Sequence, residues 1–151
     1  MEQKLSFDYQ KYNSLKELPA EDKALVEKAM EACKTSYAKY SGFRVGAAAR
    51  LKSGMVITGS NQESEVFPAG ICAERNLLFH YQAHLAGDPI EALAIASVPS
   101  ERECYPCGMC RQVLVDTEKR QSTPMRVIMS SGHSASVVGS AKDLLPFTFE
   151  L

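Results

Sequence analysis

The 151-residue sequence has no excess of charge of either sign. Its 17 Lys+Arg stand against 18 Asp+Glu, a net charge of −1. Sequence-independent nucleic-acid binding needs a strong basic excess, so that class of partner is disfavoured. No apolar run approaches the roughly 18 residues of a membrane-spanning helix, so no membrane partner is expected. The opening residues Met1-Glu2-Gln3-Lys4-Leu5-Ser6 hold no apolar signal core, and the expected location is cytoplasmic. Repeats, low-complexity tracts and Pro/Gly/Ser linkers are also missing, so one domain over residues 1–151 is expected. An even cysteine count is missing as well. The five are Cys33, Cys72, Cys104, Cys107 and Cys110, and an odd number without a secretory signal argues against a disulfide framework. In a reducing compartment, thiols clustered as at 104, 107 and 110 are more often metal ligands or redox groups.

What is present is an alternation of strand-like and helix-like stretches. Leu5, Phe7 and Tyr9 alternate with polar residues, which suits a short half-exposed strand and an edge addition. Pro19 opens a helix with Glu21 and Asp22 in its first turn, and Leu25, Val26, Ala29, Met30 and Cys33 share one face. Strands are expected over residues 43–51 and 55–60, joined by a turn at Lys52-Ser53-Gly54. A helix is expected over 72–86 and a buried central strand over 92–98. A polar loop follows over 99–106, then a helix over 107–119. Strands over 125–129 and 135–138 and a short helix at 143–145 complete the chain. This order predicts an α/β domain with a five-stranded sheet covered by helices.

Two segments carry chemistry, Cys72-Ala73-Glu74 and Pro106-Cys107-Gly108-Met109-Cys110. Each falls at the expected start of a helix, where unpaired N–H groups and the positive dipole end favour thiolate. The C-x-x-C spacing lets two sulfurs on one turn reach the same ion, and Cys72 supplies a third. Three protein ligands with one open position describe a catalytic zinc, whereas a structural site is closed by four. Glu74 is too close to Cys72 to be a comfortable fourth ligand but suits a general acid/base, as in the zinc nucleobase-deaminase signature. Rival readings are a closed zinc site with Cys104 as fourth thiolate, an iron–sulfur run, and a redox C-x-x-C switch. Cys33 reads as a small buried hydrophobe, and His80, His84 and His133 match no part of the signature.

Over roughly residues 22–149 the sequence resembles the cytidine deaminase family in its small, homotetrameric form. The resemblance rests on Tyr40-Ser41-Gly42-Phe43-Arg44-Val45-Gly46-Ala47-Ala48 and Gly59-Ser60-Asn61-Gln62-Glu63. It continues through Phe67-Pro68-Ala69-Gly70-Ile71-Cys72-Ala73-Glu74-Arg75, through Pro106 to Leu114, and through Leu144-Leu145-Pro146 with Phe149. It implies a three-layer cytidine-deaminase-like fold on a mixed five-stranded sheet, with residues 1–18 as an N-terminal extension.

The resemblance also implies roles. Cys72, Cys107 and Cys110 would hold one zinc per chain, and Arg75 would hydrogen-bond their sulfurs and offset their charge. Glu74 would act first as base and then as acid, protonating ring N3 and later the departing ammonia as cytidine or deoxycytidine becomes uridine or deoxyuridine. Asn61 and Glu63 would bind the ribose hydroxyls, Phe43 would pack on the nucleoside, and the backbone at Ala73 would read the pyrimidine edge. Phe149 would reach a neighbouring subunit's site in a homotetramer. Three positions depart from the family pattern: Glu65 for a small residue, Phe67 for Tyr, and Met109 for a small residue. Two alternatives stand beside this reading. One is a deaminase for modified or aminoacyl nucleosides of the blasticidin type, whose members lack the Glu present here as Glu63. The other is a non-catalytic zinc-stabilised nucleoside-binding protein, for which Glu74 would have no use.

Overall fold

The computed structural model describes all 151 residues. Apolar stretches of period two become β1 (Tyr9–Tyr12), β2 (Arg44–Leu51), β3 (Val56–Ser60), β4 (Ile90–Val98), β5 (Arg126–Ser130) and β6 (Ala135–Val138). The helical stretches become α1 (Ala20–Ala32), α2 (Ala73–His84) and α3 (Gly108–Gln121), with a 3-10 turn at Ala141–Leu144. The six strands form one mixed sheet, order β1-β6-β5-β4-β2-β3, in place of the five expected. The extra strand is the N-terminal one. Its start lies later than the alternation suggested, because Leu5 and Phe7 stay exposed and only residues 9–12 pair, antiparallel to β6.

The sheet is a middle layer. Along β2, Ala47, Ala49 and Leu51 face α2 and α3, while Ala48 faces α1. Along β4, Leu93 and Ile95 face the first pair of helices, while Ala92, Ala94 and Ala96 face α1. This is the strict alternation of a strand buried on both faces. Cys33 lies in that second interface, 2% exposed, as a buried apolar residue. A fork from Arg126 to buried Asp22, at 3.0 and 2.6 Å, ties the first turn of α1 to β5.

Strand direction places the helix ends. β3 and β4 both run antiparallel to β2, so they point the same way, and β5 is parallel to β4. α2 leaves from the carboxyl end of β3 and α3 from that of β4. Both helices therefore begin at the same end of the strands.

Two glycines let the helices approach this closely. A Cβ on Gly46 would lie 2.0 Å from the Ala29 carbonyl oxygen of α1. A Cβ on Gly59 would lie 2.9 Å from both the Ala73 carbonyl oxygen and the Leu77 nitrogen of α2. The obstacles are backbone atoms, which cannot rotate away. Gly46→Ala is expected to cost about 3 kcal/mol, the upper end for overpacking, and Gly59→Ala about 1–2 kcal/mol. Urea denaturation monitored by circular dichroism measures both.

Candidate metal centre and active site

Cys72 and Cys107 are the N-cap residues of α2 and α3, and Cys110 lies in the first turn of α3. Their sulfurs all lie within 4.8 Å of one another. The Cys72 and Cys107 sulfurs are 3.8 Å apart. A tetrahedral zinc with sulfurs at about 2.3 Å needs about 3.8 Å between them, so spacing and donor type both fit zinc. Cys104 is not among the sulfurs so grouped. It is buried in the apolar core, its thiol pushed up to about 12 by burial, and its amide bonds the Ser130 carbonyl. The fourth-thiolate reading and the iron–sulfur reading fall with it.

The three thiols differ in setting. Cys110 is fully buried, Cys72 half-buried and Cys107 exposed. A hydrogen bond from the Cys110 thiol, then those from Arg75 and Cys107, bring the Cys72 thiol down to about 5 against the effect of burial. Cys110 is pushed up correspondingly, first by its bond to Cys72 and then by burial. Arg75 Nη2 lies 3.7 Å from the Cys72 sulfur, and its hydrogen bonds to the Cys72 and Cys110 sulfurs, then their charge, raise the guanidinium's own pKa. The site therefore carries the cation that a trithiolate needs.

Glu74 sits in the first turn of α2 and is 3% exposed. Burial pushes its carboxyl up to about 7. A carboxyl poised near neutrality can take and return a proton with little driving force lost in either direction.

The segment leading to α2 is fixed by backbone bonds. Gln62 and Ile71 exchange both amide–carbonyl bonds at 2.9 Å, and Tyr37 bonds Asn61 and Glu63 on the other side. This places Asn61 and Glu63 beside the metal cluster. Both line a cavity of about 410 Å³ together with Cys72, Arg75, Phe67 and Met109. Two of the three departures thus shape the cavity itself, while Glu65 is exposed and outside its lining. Ala73 is fully buried and does not line the cavity.

Asn61 and Glu63 are also engaged with the loop over residues 36–45. Asn61 Oδ1 accepts from the Val45 amide at 2.8 Å and from the Ser36 hydroxyl, and its Nδ2 donates to the Phe43 carbonyl at 3.0 Å. Glu63 accepts from the Tyr40 and Ser41 amides at 2.9 and 3.1 Å and from the Ser41 hydroxyl. The Ser41 bonds in particular hold its carboxyl below the usual range. Phe43, at the loop's end, is exposed and does not line the cavity. Phe149 is not brought to the site by its own chain. It is 69% exposed beside α3, where its carbonyl accepts from Gln112. The lining residues Gln62, Pro68 and Gly70 lie within the recognised segments and Ser64 just beyond one, but only the folded chain places them around one space.

Purified protein is expected to hold about one zinc per chain, and Cys110→Ser is expected to reduce this to near zero; elemental analysis of dialysed protein measures it.

Comparison with known proteins agrees with this geometry. The family described as "Cytidine and deoxycytidylate deaminase zinc-binding region" matches residues 19–125. A cytidine deaminase of Halalkalibacterium halodurans is 37% identical over 92 residues, covering 61% of this chain and 68% of the relative. One of Mycobacterium tuberculosis is 37% identical over 89 residues, covering 58% of this chain and 65% of the relative. Among solved structures, cytidine deaminase from Burkholderia pseudomallei aligns with a TM-score of 0.71 at 37% identity, covering 83% of this chain and 97% of that one. That from Mycobacterium tuberculosis aligns with a TM-score of 0.70 at 28% identity, covering 88% of this chain and 100% of that one. With the three thiols grouped at paired helix starts inside the matched residues, the chain belongs to the cytidine and deoxycytidylate deaminase family.

Proposed function

We propose that this protein is a zinc-dependent hydrolase that converts cytidine and 2′-deoxycytidine to uridine and 2′-deoxyuridine with release of ammonia, a pyrimidine-salvage reaction. The observation that carries the reading is Glu74, a buried carboxyl poised near neutrality two residues from a cluster of three thiols. When bound, zinc supplies the Lewis acidity that makes water a nucleophile near neutral pH. Glu74 takes a proton from the attacking water and delivers it to ring N3, which makes C4 electrophilic. As the C4–N bond breaks, Glu74 carries a second proton to the departing nitrogen. One carboxylate therefore serves both half-reactions, and water and cytidine balance against uridine and ammonia. Arg75 holds the thiolate charge in check from 3.7 Å.

The sugar reading follows from what Asn61 and Glu63 have left to offer. Asn61 has both Oδ1 lone pairs occupied and one of two Nδ2 protons free. Glu63 accepts three bonds of about four possible. One free donor and one free acceptor match a single sugar hydroxyl, which both accepts and donates. A site that reads one hydroxyl tolerates ribose and deoxyribose alike. The backbone at Ala73 faces the pyrimidine edge in this reading, and Phe43 packs on the nucleoside.

Phe149 of a neighbouring subunit completes the site in the proposed homotetramer. Its exposure on its own chain, beside a fully exposed Phe147, supports that arrangement. Residues 1–151 act as one domain, with residues 1–18 preceding the family match. The five cysteines are all unpaired, which suits the reducing cytoplasm as the setting.

Zinc-loaded protein is expected to turn over cytidine and deoxycytidine, seen as loss of ultraviolet absorbance and as ammonia released. Turnover only of a modified or aminoacyl cytosine nucleoside would move the substrate to the blasticidin type. Glu74→Ala is expected to keep zinc and to lose about 10²–10⁴-fold or more in kcat. Light scattering is expected to give about four chain masses, and Phe149→Ala to raise KM.

A further inference from the structure

Cys107 is the one exposed ligand, so burial cannot fix its position as it fixes Cys110. Its placement depends on the loop over residues 99–106, and that loop is tied down by a group outside the metal site. Glu103 is 8% exposed and four residues before Cys107. Its carboxylate accepts from Ser134 Oγ at 2.8 Å, Ser136 Oγ at 2.7 Å, Tyr105 OH at 3.0 Å and the Lys11 ammonium. Ser136 lies on β6 and Lys11 on β1, so the loop is bolted to both strands at that edge of the sheet. The backbone adds two lighter ties, Cys104 N–H to the Ser130 carbonyl at 3.0 Å and Gly132 N–H to the Ser100 carbonyl at 2.9 Å. On the far side of the ligand, Arg111 Nε holds the Pro106 carbonyl at 2.9 Å.

Burial alone would push the Glu103 carboxyl up. The bonds from Lys11, Ser136, Ser134 and Tyr105 outweigh it and hold the carboxyl below its usual range, so this is a charged anchor with its acceptor positions filled. The family match begins at residue 19, so Lys11 comes from the segment that precedes it.

We propose that Glu103, charged and clamped by Lys11 of the N-terminal strand, is a positioning residue for zinc retention: it holds the 99–106 loop so that Cys107 stays within reach of Cys72 and Cys110. The proposal rests on the zinc reading above and not on the identity of the nucleoside. The N-terminal segment then has a task, since it supplies the cation of the clamp. Loss of the clamp frees the exposed ligand first, and zinc leaves through it.

The test measures transfer of zinc from the full-length holoprotein to excess chromogenic chelator, with thermal unfolding measured in parallel. Glu103→Gln is expected to release zinc about tenfold faster, the low end for partners that act behind a ligand. Lys11→Met is expected to shift release in the same direction by a smaller factor. Glu118→Gln is the control: that carboxylate is also buried and bonds Met125 N, Ala141 N and Ser140 Oγ at the far end of α3. It is expected to lower the melting temperature while leaving release at the wild-type rate. Wild-type release rates in both Glu103→Gln and Lys11→Met would overturn the proposal, as would equal acceleration in Glu118→Gln. If Glu103→Gln does not fold, Lys11→Met decides alone. A wild-type chain that holds no zinc would overturn the metal reading as well, whereas zinc-loaded protein inert toward cytidine would overturn only the substrate.

Discussion

β3 and β4 point the same way, and a helix follows each. That shared direction brings two helix N-termini to one end of the strands, and the rest of the site depends on it. Sulfurs 35 positions apart in sequence come within 3.8 Å because each caps one of those helices. Glu74 is buried there because it lies in the first turn behind a capping cysteine. Unpaired N–H groups at both helix starts favour negative charge, which is what a trithiolate site must hold. The only parallel strand neighbours, β4 and β5, flank the α3 crossover, so the ligands sit outside the carboxyl ends of strands, where open α/β sheets bind ligands.

Much of this could be read from residues in order. The two cysteine segments name their own chemistry, and the buried run in β4 announces a central strand. Other parts depend on tertiary placement. The pairing of β1 with β6 could not be counted in advance, because Leu5 and Phe7 continue the alternation yet stay in solvent. Asn61 and Glu63 carry a motif that points to a sugar, but nothing in their spacing says that the 36–45 loop already occupies most of their bonding capacity. Phe149 reads as a site residue only through family resemblance, since its own chain leaves it on the surface beside α3. Cys104 is in the cysteine run by sequence and in the apolar core by structure.

Three carboxylates illustrate how partners, more than depth, decide charge. Glu74 is buried with burial as the leading influence, and its carboxyl rises to about 7. Glu103 is buried nearly as deeply but is surrounded by a lysine, two serines and a tyrosine, and it stays charged. Glu63 is more open, and the Ser41 and Tyr40 bonds pull it down. The carboxyl near neutrality is the one left with fewest donors, and the charged ones are those with the most.

The face of the sheet under α1 is paved with very short side chains. Gly46 and Ala48 on β2 and Ala92, Ala94 and Ala96 on β4 let that helix lie almost on the backbone. The opposite face carries Ala47, Ala49 and Leu51 on β2 and Leu93 and Ile95 on β4, with Leu77, Leu78 and Tyr81 of α2 packed on it. The two faces should therefore age differently under random mutation. At the large side chains on the α2–α3 side, most substitutions remove volume and leave cavities, at about 2–5 kcal/mol for a buried Leu or Ile cut to Ala. On the α1 side the β2 and β4 positions have almost nothing to remove, so changes there add atoms beside the helix backbone, while Leu25, Val26 and Ile128 around them can still lose volume. Sequence drift in this chain is thus limited on both sides of the sheet, by lost volume at one set of positions and by added volume at the other.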